Sequence, residues 1–251
     1  MQEYLNNHDF HILRLDDTGS TNTYLKELSQ RKPLDDFTTV VAGYQRSGRG
    51  QEGNSWESEN GKNLLFSYII SPDFCPANEQ FYLSQLISLG IKETLDSYTD
   101  GITIKWPNDI YWHDRKICGI LIENVLCGTR LSQSIAGIGI NINQEIFRSD
   151  APNPVSLRQI TGKEYELDEV LLGILIRTQQ YYTALRRGEK RTIADTYFRA
   201  LYRRDGLYPY RDAQGLFRAR IKDILPSGTL VLLEENGRER HYNFKEVAFV
   251  L

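Results

Sequence analysis

Residues 46–62 are polar and rich in Gly, Ser, Asn and Glu, and they lie between two runs that read as β-strands, residues 38–45 and 63–70. The segment has too few apolar side chains to bury itself, so it is a long loop carried by the strands on either side. Loops of that length in a compact domain are usually functional or disordered. The second flanking run, Asn63-Leu64-Leu65-Phe66-Ser67-Tyr68-Ile69-Ile70, is almost wholly apolar and reads as a buried strand. The chain must therefore set a core strand directly behind a solvated loop.

Upstream, residues 9–16 read as a strand and residues 22–30 as a helix, with Ser20, Thr21 and Asn22 as capping candidates. Downstream, residues 79–98 carry Phe81, Leu83, Leu86, Ile87, Ile91 and Leu95 at helical spacing. Further strands are expected at residues 101–106, 111–112, 117–126 and 134–142, and helices at 167–187 and 192–202. Strands that cluster, with helices following them, favour an α+β domain with a mixed sheet. Beyond Arg203-Arg204-Asp205-Gly206 the pattern changes to short strands at 216–224, 229–234 and 240–250, separated by Pro226-Ser227-Gly228 and Asn236-Gly237. Asn-Gly between alternating runs is a hairpin signal. The expected division is a main α+β domain over residues 1–203 and a small SH3-like β-barrel over 204–251.

The net charge of −3 and the absence of any Lys/Arg block give no electrostatic footprint for nucleic acid or an anionic membrane surface. No basic region followed by an apolar run opens the chain, and no window approaches the apolar length of a spanning helix, so the cytoplasm is the expected address. Cys75, Cys118 and Cys127 form no CxxC pair, and no histidine stands near them in a zinc-like spacing. No resident metal site and no disulfide framework are expected.

Within the loop, Gly48, Gly50 and Gly53 fit the dinucleotide spacing G-x-G-x-x-G. That motif needs its last glycine to open a helix, whereas Asn54-Ser55-Trp56-Glu57-Ser58-Glu59-Asn60-Gly61 follows. A Walker A loop also fails, because no Gly-Lys-Ser/Thr ends the segment. Successive glycine amides can still cradle an anion, and the Arg49 guanidinium can grip a carboxylate or phosphate in a bidentate way. The alternative is a surface loop with one solvated arginine.

Lys105-Trp106-Pro107-Asn108-Asp109 closes the strand that contains Ile102-Thr103-Ile104, and Lys116 heads the apolar run Ile117-Cys118-Gly119-Ile120-Leu121-Ile122-Glu123. Alone, Lys116 reads as a snorkelling residue at a strand end, and Asp109 as a turn aspartate. They stand in a longer succession. Ser20-Thr21-Asn22, Gln45, the loop through Trp56, Ser58, Gly61 and Asn63, then the Lys105–Asp109 block, the Lys116 strand and Gly137-Ile138-Gly139-Ile140-Asn141-Ile142-Asn143 occur in that order. The succession resembles the biotin–protein ligase family over most of the chain, and the small C-terminal barrel fits that family too.

The resemblance implies a biotin/lipoate ligase-like catalytic domain and a two-step reaction with biotin and ATP as substrates and Mg²⁺ accompanying ATP. Biotin is activated as biotinoyl-5′-adenylate, and a lysine of a biotin carboxyl carrier protein domain then displaces AMP. It implies catalytic roles for Arg49, Lys105, Asp109 and Lys116. Lys116 would contact the biotin carboxylate and the bridging phosphate, Arg49 and Gly50 would fold over the adenylate, and Asp109 would serve the incoming lysine as base or orienting carboxylate. Ser20, Thr21, Asn22 and Gln45 resemble the biotin-side residues, together with Arg49, Gly50, Gln51, Lys116 and Gly119. Trp56, Asn63 and Asn141 fall on the adenosine side, with Arg49, Gly50, Gln51, Lys105, Asn108 and Lys116 around the nucleotide. Ser20-Thr21-Asn22 also suits a plain helix start, and Trp56 also suits a plug beneath the loop.

Two features depart from the family pattern. Many members carry further arginines where this chain has Gln51 and Asn54, and members that repress biotin operons carry an N-terminal winged helix, whereas here Ser20-Thr21-Asn22 already belongs to the catalytic domain. No operator binding is expected, and monomer and homodimer both remain open. A lipoate or octanoate ligase is the nearest alternative enzyme, and a non-catalytic ligand-binding module the alternative from another class. With one cation in the loop, backbone amides should carry more of the adenylate's binding. Gly50→Ala and Gly53→Ala should therefore speed adenylate dissociation more than Gln51→Ala does; the reverse ranking in a release assay overturns this.

Overall fold

The computed structural model describes residues 10–48, 50, 56–149 and 151–250. A seven-stranded sheet forms its centre, in the order β1-β2-β3-β7-β6-β5-β4. Its strands are β1 (Ile12–Thr18), β2 (Thr39–Gln45), β3 (Leu64–Ile70), β4 (Ile102–Lys105), β5 (Asp109–Trp112), β6 (Arg115–Cys127) and β7 (Arg130–Ile140). The β1–β2 pair is parallel and the other pairings are antiparallel, which makes the sheet mixed, as expected. Parallel β1 and β2 need a crossover between them, and the helix α1 (Thr21–Arg31) supplies it.

Period-two alternation gives the central strands two different faces. On β3, Leu64, Phe66, Tyr68 and Ile70 enter the main core. That core is filled from the other side by α2 (Phe81–Leu95), whose Leu83, Leu86, Ile87 and Ile91 are inaccessible to solvent. A short helix α3 (Leu157–Thr161) follows the sheet, and then α4 (Leu167–Arg186) and α5 (Lys190–Arg199) pack against α2. The opposite face holds only a small cluster under α1, made of Leu25, Val40, Ile69 and Ile135. Elsewhere on that face Gly119, Gly137 and Gly139 line a cavity.

A second sheet, order β11-β10-β9-β8-β12, is antiparallel throughout and is consistent with the small SH3-like unit expected at the C-terminus. It comprises β8 (Tyr208–Asp212), β9 (Gly215–Ile224), β10 (Leu230–Glu234), β11 (Glu239–Tyr242) and β12 (Ala248–Phe249). Three details differ from expectation. β8 was not anticipated, because Pro209 makes its sequence a poor strand former. α3 is a single turn set by a capping box between Ser156 and Gln159, too short for periodicity to show. The run 240–250 is broken by a turn: Glu246 N donates to the Asn243 carbonyl (3.2 Å), and the Asn243 amide donates to the Glu246 carboxylate (2.6 Å). Lys245 in that turn has φ +71°, a left-handed conformation that costs an L side chain roughly 1–2 kcal/mol.

The two sheets share one core, to which Tyr210, Phe217, Ile221, Leu230 and Leu232 contribute. Leu201 bridges the outer edge of β4, with Ile104 N donating to the Ala200 carbonyl and Tyr202 N to that of Ile104. Trp106, which follows β4, donates its Nε1–H to the Gly228 carbonyl at 2.9 Å. Gly228 sits at φ +91°, and a Cβ there would lie 2.7 Å from Cδ2 of the Phe81 ring. Gly228→Ala should lower stability by more than about 1 kcal/mol, from left-handed strain plus a ring clash. A lower midpoint in urea unfolding, with the slope unchanged, is the expected reading.

Candidate active site

The free face of the sheet is floored by glycine. Gly119 on β6 and Gly137 and Gly139 on β7 all line one cavity of about 560 Å³. Where the β5–β6 register slips, Ile110 opposes Cys118 but Tyr111 opposes Lys116, so Ile117 is an extra residue. A bulge re-aims what precedes it. Strict alternation would send Lys116 to the helix side, whereas the bulge brings it onto the floor with Gly119.

At one end the cavity meets the start of α1. Ser20 occupies the N-cap position with extended backbone, yet its side chain makes no capping hydrogen bond. Gln45 takes that job, accepting at Oε1 from Thr21 N (2.8 Å) and Thr21 Oγ1 (3.2 Å). These bonds fix which end of the Gln45 amide accepts and leave Nε2 as its donor. Beneath them, the buried Ser67 hydroxyl lies 2.6 Å from both Thr21 Oγ1 and Asn22 Oδ1, and Asn22 Nδ2 donates to Glu123 at 2.8 Å. The absent side chain at Gly137 makes room for Asn22, since a Cβ there would sit 2.2 Å from Asn22 Oδ1. The result is a rigid cluster of hydroxyl and amide groups.

Lys105 and Asp109 face each other across the β4–β5 turn, whose Trp106–Pro107 bond is cis. Asp109 pairs with Lys116 at 2.8 Å. Lys105 donates to Tyr111 Oη (3.2 Å) and lies over the rings of Tyr111 and Phe249 at 5.0 and 5.5 Å. Burial holds its pKa below the ordinary lysine value; Asp109 opposes that shift, and Lys116 and Arg203 reinforce it. The wall facing this lysine comes from the second sheet, through Phe244, Lys245, Val247, Ala248 and Phe249.

A second cavity of about 210 Å³ adjoins the first, and Trp56, Asp109 and Lys116 line both. The Trp56 indole lies on the floor: a Cβ on Gly119 would be 2.8 Å from its Cζ3, and one on Gly139 would be 2.6 Å from its Nε1. Its Nε1 is buried with no hydrogen-bond partner among the described residues. Lys116 Nζ stands 6.0 Å from the ring centre. Glu57 closes the smaller cavity by accepting from Arg148 N (2.7 Å) and Ser149 N (2.8 Å). Burial would raise its carboxyl pKa, but the hydrogen bonds from Ser149 and Arg148 hold it below the usual value. Asn141 also lines this cavity, donating Nδ2 to the Val155 carbonyl (3.2 Å), while its Oδ1 is buried without a partner among the described residues.

The structure thus brings Ser20, Thr21, Asn22, Gln45, Gly50, Trp56, Lys105, Asn108, Asp109, Lys116 and Gly119 around the larger cavity and Asn141 onto the smaller one. Arg49 and Gln51 lie outside the described residues. Asn63 is corrected. Expected to offer its amide to a base edge, it lines neither cavity and is 2% exposed. Its Nδ2 donates to Gln144 Oε1 (2.6 Å) and Ser58 Oγ (3.2 Å), and its Oδ1 accepts from Ile142 N (3.0 Å). It anchors the end of the loop to the segment that follows β7. Sequence reasoning also missed Ser67, whose signal is a hydroxyl inside an otherwise apolar strand, and the Phe244–Phe249 wall, which a strand reading of 240–250 concealed.

Fold and site together define an α+β domain that carries a glycine-floored, cation-lined ligand cavity on the open face of its sheet. A family profile described as the Biotin/lipoate A/B protein ligase family matches residues 16–141, and the chain belongs to that family. A biotin protein ligase from Aquifex aeolicus in complex with biotin and ATP superposes with a TM-score of 0.78 at 26% identity, covering 95% of this chain and 97% of the other. The bifunctional ligase/repressor BirA of Bacillus subtilis (strain 168) is 33% identical over 181 residues, which are 68% of this chain and 54% of that protein. The biotin–[acetyl-CoA-carboxylase] ligase of Paracoccus denitrificans is 29% identical over 161 residues, 61% of this chain and 65% of that protein. The chain thus spans about half the length of the BirA relatives it matches.

The indole's seat can be tested directly. Gly139→Ala should push Trp56 off the floor. With Trp106 and Trp112 replaced by Phe, Trp56 fluorescence should then shift to longer wavelength and become more accessible to acrylamide.

Proposed function

We propose that this protein is an ATP-dependent biotin–protein ligase that forms biotinoyl-5′-adenylate and transfers biotin to a lysine of a biotin carboxyl carrier protein domain. The observation that carries this reading is that two cavities of different chemistry meet at one ion pair, Lys116–Asp109, under the Trp56 indole. The hydroxyl and amide cluster of Ser20, Thr21 and Gln45 suits the ureido head of biotin. The smaller cavity suits adenine. Asn141 lines it, in keeping with the adenosine-side place that the resemblance gives this residue.

In the first step a biotin carboxylate oxygen attacks the α-phosphorus of ATP, and pyrophosphate leaves. Anionic nucleophile and anionic phosphate repel each other, so fixed cations must stand between them. Lys116 lies where the cavities join, Lys105 stands beside it, and the family resemblance gives Arg49 the role of a further cation toward the adenylate. Asp109 neutralises Lys116 in the unliganded protein. Substrate oxygens arriving at Lys116 Nζ would displace that carboxylate, turning Asp109 toward the second step just as the adenylate forms.

In the second step the carrier lysine must attack as a neutral amine. With an ordinary pKa of ~10.4, deprotonating it near neutrality costs about 4–5 kcal/mol. Asp109, freed from Lys116, accepts a hydrogen bond or proton from the incoming ammonium. The amine then adds to the acyl carbon and AMP departs. Mg²⁺ supplies charge neutralisation when bound with ATP. Among the described residues no group of three or more His, Cys, Asp or Glu side chains could hold a metal ion, and Asp109 is the one described carboxylate lining the larger cavity. That donor set fits a cation carried by the nucleotide's own phosphates.

Among the described residues no helix is long and apolar enough to cross a membrane, which agrees with work in the cytoplasm on a carrier domain. A lipoate or octanoate ligase would share the acyl-to-lysine logic, but neither acyl chain offers partners for the polar cluster at Ser20, Thr21 and Gln45. Buried polar groups left unpaired discriminate strongly. ATP–pyrophosphate exchange should accordingly respond to biotin and not to lipoate. Lys116→Ala should abolish exchange, whereas Asp109→Asn should preserve adenylate formation better than biotin transfer to a carrier domain. Exchange driven by lipoate alone would refute the assignment.

A further inference from the structure

We infer that Ser67, with Asn22 and Glu123 behind it, fixes the direction of the Thr21 hydroxyl, so that Thr21 meets biotin as a hydrogen-bond acceptor for one ureido N–H. The inference rests on the proposed function, which seats the ureido head at Ser20, Thr21 and Gln45. Ser67 and Glu123 line neither cavity, so they act through Thr21 as positioning residues. A serine is otherwise out of place in β3, which is buried along its whole length and is apolar or aromatic at every other position.

The direction follows from where each proton can go. Asn22 Nδ2 faces two groups that only accept, the Glu123 carboxylate at 2.8 Å and the Leu121 carbonyl at 3.4 Å. Its Oδ1 is therefore the end turned toward Ser67. The Ser67 hydroxyl lies 2.6 Å from that oxygen, and its single proton has to go there, because an amide oxygen donates nothing. Thr21 Oγ1 is also 2.6 Å from Ser67 Oγ. Two oxygens that close need a proton between them, and Thr21 must supply it. The other acceptor within its reach, Gln45 Oε1, is farther off at 3.2 Å and already takes the Thr21 amide at 2.8 Å. With its proton committed inward, Thr21 Oγ1 has only lone pairs for whatever occupies the cavity that Thr21 lines. Gln45 Nε2 is the donor beside it. An acceptor next to a donor matches the N–H and C=O of a ureido group. The relay is also held in place: Ser67 is inaccessible to solvent, and a Cβ on Gly137, its partner across β3 and β7, would lie 2.2 Å from Asn22 Oδ1.

Calorimetric titration of biotin and of the two cyclic carbamates that replace one ureido N–H by oxygen tests the direction. In the parent protein one of the two, the carbamate whose ring oxygen faces Thr21, sets lone pair against lone pair. It should bind about tenfold more weakly than biotin or worse, the scale of one hydrogen bond exchanged for a repulsion. Ser67→Ala releases the Thr21 proton. Biotin should then bind about tenfold more weakly, while the same carbamate, now able to accept from Thr21, keeps or gains affinity, so the gap closes. Glu123→Gln, whose amide can donate as well as accept, leaves the buried site filled and should narrow the gap too. In biotin-dependent exchange, KM for biotin should rise in both variants while KM for ATP stays constant. Equal weakening of biotin and both carbamates, the mark of a merely structural serine, overturns the inference, as does a gap that neither variant alters. If the parent protein binds no biotin, the proposed function falls and takes the inference with it.

Discussion

The chemical difference between the two faces of β3, β7 and β6 underlies the rest of the molecule. Side chains alternate strictly along an antiparallel strand, so a strand bearing Leu64, Phe66, Tyr68 and Ile70 on one face must place Leu65, Ser67 and Ile69 on the other. The first set fills a core with α2 and α4. The second set, beside Gly139 and Gly137 of β7, reaches only the small cluster under α1, through Ile69. That deficit leaves a trough for a ligand, and a single register slip at Ile117 puts a lysine into it.

Charge in the trough is arranged by competition. Lys116 is paired with Asp109, and Lys105 lies over the rings of Tyr111 and Phe249. Phe249 belongs to the second sheet, as does the Phe244–Ala248 wall. The cavity is thus composite: neither sheet alone encloses it. The hydrogen bond from Trp106 to Gly228 and the Phe244–Trp106 packing fasten its two halves together.

What could be read from the sequence follows from the range of the interactions involved. Strand 63–70 and the helices near 81–95 and 167–186 announce themselves by periodicity, because burial on one face acts on each residue locally. Lys105, Asp109 and Lys116 stand close in the chain and meet across one hairpin, so motif and geometry coincide. Ser67 and Asn63 are harder. One hydroxyl in an apolar strand gives no direction, and the role of Asn63 depends on Gln144 and Ile142, far along the chain. The turn at 243–246 was hidden because its sequence, flanked by apolar residues, passes for a continuous strand. Its left-handed residue is a lysine, where glycine would have marked the turn.

The start of α1 links folding to recognition. Gln45 reaches across from β2 to serve as the cap that Ser20 does not provide, and Thr21 is bonded at both its amide and its hydroxyl to that same side chain. The groups that would read a ligand's head are thus the groups that begin a helix over the sheet. A lineage carrying this arrangement has little freedom to drift toward a new substrate by single steps. Replacing any one of these residues unseats a neighbour, so a change of preference at this end has to arrive as a coordinated set.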